Sequence, residues 1–65
     1  MLTPKITGLS NNLAALTLEF AIAKAQAQKS GLREDIHAKH RAMEKMIDAQ
    51  NAMWSACEEE SQHYV

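Results

Sequence analysis

The apolar residues of this chain recur at alternating spacings of three and four on both sides of Ser30-Gly31, but the rhythm does not carry across that dipeptide. Upstream, Ile6, Leu9, Leu13, Leu16, Phe20, Ala23 and Ala27 form a seam of the coiled-coil kind, one stripe along a helix. Continued in the same register past Gly31, that seam would receive Glu34, His37, Arg41, Glu44 and Asp48, charged and polar groups that an apolar core cannot hold without partners. A shifted register instead gives the second segment its own seam, Ile36, His40, Met43, Ile47, Gln50, Trp54, Cys57 and Tyr64. A change of phase at a glycine, between two long helical patterns, predicts a chain that folds back on itself. The expected fold class is all-α, an antiparallel two-helix hairpin.

Local signals set the boundaries. Thr3-Pro4 is a helix start, since a threonine oxygen can accept a first-turn N–H and proline at the first helical position has no N–H to satisfy. Gly8 in the second turn costs about 1 kcal/mol relative to alanine, which makes Ser10 the alternative cap. At the other end, Gly31 suits a left-handed cap, Lys29 complements the negative helix end, and Leu32 is expected to fold back onto the last turn. Glu34 and Asp35 favour the start of a second helix. The single domain is thus read as helix 1 over about 4–29, a turn at 30–31 and helix 2 over about 32–62. Three glutamates, Glu58, Glu59 and Glu60, oppose the dipole at the far end, so residues 61–65 are expected to fray unless a partner holds Tyr64.

A chain of 65 residues removes only about 60% of its unfolded-state surface when it folds alone, and folds of this size lean on disulfides, a metal or association. One cysteine, Cys57, rules out an internal disulfide framework and fits a reducing compartment such as the cytosol, where it is expected to be a buried free thiol. Met1-Leu2-Thr3-Pro4-Lys5 does not read as the start of a signal peptide. The longest apolar window, from Leu13 to Ala23, contains Glu19 and falls well short of the roughly 20 residues a membrane span needs. The expected localisation is cytoplasmic.

Association is the stronger expectation, because helix 1 is apolar on two sides. Ala14, Ala15, Leu18, Ile22 and Ala25 lie opposite or beside the first seam, and Glu19 is the only charge between Ile6 and Ala23. A helix apolar nearly all round is buried on more than one side, and a second helix covers only one. Helix 2 is broad as well, with Ala42, Met46, Ala49, Met53 and Ala56 beside its seam as further bundle core. The most economical arrangement is a homodimer of hairpins forming a four-helix bundle with helix 1 central. Leu13, Leu16, Leu18, Phe20, Ile22, Met46, Met53 and Trp54 are the residues expected to carry self-association or partner binding, with Trp54 placed in the core by its seam position.

Chemistry finds no foothold. His37, His40 and Glu44, with Cys57 and His63 further on, do not match the spacing of zinc peptidases or of di-iron bundles, so the reading is no metal and no cofactor. No serine or cysteine has a histidine at a useful helical offset, there is no glycine-rich phosphate loop, and a hairpin offers no substrate pocket, which excludes an enzyme. Lys24, Lys29, Arg33, Lys39, Arg41 and Lys45 gather toward the turn, but a net charge of −1 supplies no field for nucleic acid, and the expectation is solvated faces with i,i+4 pairing.

In size and two-helix layout the chain resembles the small hairpin co-chaperones of bacterial type III secretion, a likeness of architecture that carries over no residue. It implies a non-catalytic module that acts by binding another protein, as an adaptor, co-chaperone or inhibitor of the size that bacteria, phage and plasmids encode. Two alternatives stand beside it. One is a dimeric hairpin that grips paired RNA through Lys29, Arg33, Lys39 and Arg41, similar in length to plasmid copy-number regulators. The other is a self-assembling structural subunit.

Overall fold

The computed structural model describes residues 3–62 and consists of two helices, α1 (Pro4–Ser30) and α2 (Arg33–Gln62), packed along each other. Met1, Leu2, His63, Tyr64 and Val65, and with them the expected role of Tyr64 in a seam and of His63 as a ligand, lie outside the described residues.

Each end of α1 follows from its local chemistry. Thr3 sits in extended backbone, its Oγ1 accepts the N–H of Ile6 at 3.2 Å, and its carbonyl accepts the N–H of Thr7 at 2.9 Å, so the helix starts at Pro4 and Ser10 lies inside it. Gly31 ends it at φ 67° and ψ 6°, donating its N–H to the carbonyl of Ala27 at 2.9 Å. Helical bonding resumes at once, with the N–H of Ile36 given to the carbonyl of Leu32 at 3.0 Å. Ser30 clasps the turn from both sides: its hydroxyl donates to the carboxylate of Asp35 and accepts the N–H of Leu32 at 3.2 Å. Leu32 does not fold back as expected. Its side chain is 59% exposed, because the cap is completed by backbone and by Ser30 without it. At the far end α2 continues through Ser61 and Gln62, where the Ser61 hydroxyl donates to the carbonyl of Glu58 at 2.8 Å.

The interface between the helices corrects the expected seam of α2. On α1 the buried or partly buried residues are the expected ones, Ile6, Leu9, Leu13, Leu16, Phe20, Ala23 and Ala27. On α2 the row facing them is Ala38, Ala42, Met46, Ala49, Met53, Ala56 and Glu60, with Asp35, Ile36, Lys39 and Gln50 partly buried beside it, while His40, Met43, Ile47, Trp54 and Cys57 of the expected seam are exposed. The reason is volume. Three leucines and a phenylalanine on α1 fill the space between the axes, and alanines facing them let the helices come close. A stripe carrying Ile47 and Trp54 where alanines and the flexible Met46 and Met53 now stand would force the helices apart. The core is correspondingly thin: among the described residues only Ile6, Ala27, Ala49 and Ala56 are buried, and none of them completely.

The hairpin is a rod with principal extents of 50 × 14 × 11 Å and a radius of gyration of 15.0 Å, against about 11 Å for a compact domain of this length.

Candidate functional site

At about 100° per residue, helical phase sorts each helix into faces. In α1, Leu18 stands two residues from both Leu16 and Phe20, and Ile22 two residues beyond Phe20, which turns both away from α2. Leu18 and Ile22 are each 62% exposed, and Ala14, Ala15 and Ala25 around them are exposed too. This is the first uncovered stripe, on the back of α1.

A second stripe belongs to α2 and was read from the sequence as its buried seam. Met43, Ile47, Gln50, Trp54 and Cys57 each follow by one residue a position that faces α1, namely Ala42, Met46, Ala49, Met53 and Ala56. The whole set is therefore rotated by about 100° from the interface and runs down one flank of the hairpin. Met43 is 36%, Ile47 42% and Trp54 55% exposed, so Trp54 does not pack between α1 and α2 within the hairpin, and the Cys57 thiol is exposed there rather than buried. The residues one position before the interface set, Arg41, Lys45, Asp48, Ser55 and Glu59 among them, form the opposite flank, which is polar. Across that polar flank Lys5 Nζ meets Glu59 Oε2 at 3.3 Å, the one ion pair among the described residues, in place of the i,i+4 pairing expected along helix 2.

The residues expected to bind a partner thus divide in two. Leu13, Leu16, Phe20, Met46 and Met53 are partly buried between the two helices, whereas Leu18, Ile22 and Trp54 face outward on the two stripes. Sequence reasoning missed Met43 and Ile47 as surface residues. The signal was present, since the alanine-methionine set and the isoleucine-tryptophan set are both heptad repeats one residue apart, and only one of them can face α1.

The basic residues are divided between two sides of α2: Arg33 and Arg41 are about 80° apart and Arg41 and Lys45 about 40°, with Lys39 turned elsewhere. Lys39 and Arg41 are two residues apart and hence about 200° apart around α2, and Lys29 and Arg33 sit on different helices at either end of the turn. Among the described residues no group of three or more His, Cys, Asp or Glu side chains converges as a metal site would require, and His37, His40 and Glu44 are all exposed. No helix of the described residues is long and apolar enough to cross a membrane.

No protein-family model, curated protein or solved structure matches this chain.

Proposed function

We propose that the protein is a non-catalytic protein-binding module that works as a self-associated unit, one uncovered stripe taken by a second copy of the chain and the other by a different protein. The observation that carries this reading is the exposure of six large apolar side chains, Leu18, Ile22, Leu32, Met43, Ile47 and Trp54, on a hairpin with four buried residues among those described. Arrays of this kind, continuous along a helix, mark interaction surfaces.

The magnitude agrees. A compact monomer of 7.2 kDa exposes about 4,100 Å², whereas the hairpin exposes 5009 Å², an excess of about 900 Å². A standard protein–protein interface removes about 800 Å² from each partner, so covering one stripe returns the chain to the surface expected for its size. Pairing of two hairpins into a four-helix assembly supplies that area by closed two-fold symmetry. The stripes belong to different helices, one on the back of α1 and one on a flank of α2, and the second is left for the adaptor, co-chaperone or inhibitor role.

The test is the solution mass of the chain by light scattering from low micromolar to millimolar concentration. The expected result is a discrete species of twice 7.2 kDa with high helix content. A fully helical monomer over the whole range overturns the reading, and steady growth in mass beyond the dimer replaces it with an open, self-assembling subunit.

A further inference from the structure

The uncovered stripe of α2 is more than a scatter of apolar residues. Ile36, His40, Met43, Ile47, Gln50, Trp54 and Cys57 follow one another at spacings of four, three, four, three, four and three over three heptads; Ile36 and Gln50 are partly buried at the edge of the interface with α1, and His40, Met43, Ile47, Trp54 and Cys57 are exposed. Such a repeat is what one helix needs to pack knobs into holes against another. The back of α1 is a poorer seam, with Leu18 and Ile22 as its only large residues among alanines.

On the reading that the protein self-associates, we infer that the second copy docks on this flank of α2, with the two α2 helices parallel and in register and the back of α1 left free for the other protein. Three features converge on that occupant. Parallel, in-register pairing sets each stripe residue against its own kind, so Met43, Ile47 and Trp54 meet apolar partners while His40 and Gln50 meet polar ones. A polar pair inside an apolar seam holds the register and the two-stranded state. The flanking charges choose the direction. Lys39 precedes the stripe at His40 and Glu44 follows it at Met43, which in a parallel pair brings Lys39 of each copy beside Glu44 of the other, twice by symmetry. Turning one copy end for end allows a register that also matches polar with polar, Ile36 opposite Trp54, His40 opposite Gln50 and Met43 opposite Ile47. That register brings Glu44 against Glu44 near the two-fold axis and leaves Lys39 without an acidic partner, so the charges oppose it.

The experiment compares wild type, Met43→Lys/Ile47→Lys and Leu18→Lys/Ile22→Lys by light scattering and circular dichroism, and oxidises wild type gently with the Cys57 thiol as the orientation probe. All four substituted positions are exposed in the hairpin. The inference expects the α2 variant to lose half its mass, the α1 variant to remain a dimer, and wild type to form a Cys57–Cys57 covalent dimer that keeps its helicity. A dimeric α2 variant beside a monomeric α1 variant overturns the inference and leaves the proposed function standing. A wild-type dimer that resists the covalent link overturns the parallel register. Should the α2 variant unfold, the Lys39→Glu and Glu44→Lys single variants decide: each alone dissociates at lower dilution than wild type, and an equimolar mixture recovers wild-type affinity. Singles that pair as tightly as wild type sink the proposal, and a wild-type monomer removes it together with the proposed function.

Discussion

The two glycines of the chain have opposite consequences for stability. Gly8 lies inside α1 with helical backbone, and a Cβ built there meets nothing within 4 Å. Gly8→Ala therefore removes unfolded-state freedom at no steric cost. It is expected to stabilise the protein by about 1 kcal/mol, raising Tm by about 4–8 °C at fixed protein concentration. Gly31 has the same open surroundings but a φ of 67°. An alanine there is strained by its own backbone, so Gly31→Ala is expected to lower Tm by a similar amount, with Gly31→Asn intermediate. Thermal unfolding of the three variants side by side checks both signs. Both glycines were visible in the sequence, and the roles of Thr3 and Gly31 as caps follow from residue type alone. The exposure of Leu32 did not, because a serine hydroxyl two residues earlier closes the turn in its place.

At the level of the element, α2 has three faces: a small-residue interface, an apolar flank and a polar flank. Ala56, 3% exposed, marks how closely the interface is packed. Ala56→Leu pushes three carbon atoms into a space already filled from α1 and is expected to destabilise the hairpin by about 1–3 kcal/mol, read as a fall in the midpoint of urea unfolding. The same change at an exposed position such as Ala52 is expected to move the midpoint little. The contrast separates the interface from its neighbours one turn away. It also shows why hydrophobicity ranked the stripes of α2 wrongly: transfer energy favours burying Ile47 and Trp54, but a helix opposite three leucines and a phenylalanine is chosen by fit.

The whole molecule is a thin rod whose net charge of −1 is spread over the polar flank of α2, both ends and the turn. Phosphate binding needs cations gathered on one side, and Lys39 is turned about 200° from Arg41 on a chain whose net charge is negative. Structured RNA is accordingly not expected to shift in a gel-retardation assay with the protein at about 50 mM salt. A salt-sensitive complex there would restore the nucleic-acid alternative. A self-associated fold also makes stability depend on concentration, so a hundredfold dilution is expected to lower the thermal midpoint of wild type. A midpoint indifferent to dilution would falsify the coupling of folding to association.

Much of this architecture is local in origin. Two helices, the turn between them, their caps and the facing seam of α1 follow from residue type and spacing, because hydrogen bonding within a helix and the phase of 3.6 residues per turn need no distant partner. The sequence also determined that α1 is apolar on two sides, since no single neighbour covers a helix all round. Which stripe of α2 turns inward was decided only in the tertiary structure. Two heptad repeats one residue apart are equally regular, and the choice depends on the side chains α1 presents across the gap. That choice puts Trp54, Ile47 and Met43 on the outside, and the candidate binding surface of α2 exists because the alanines won the inside.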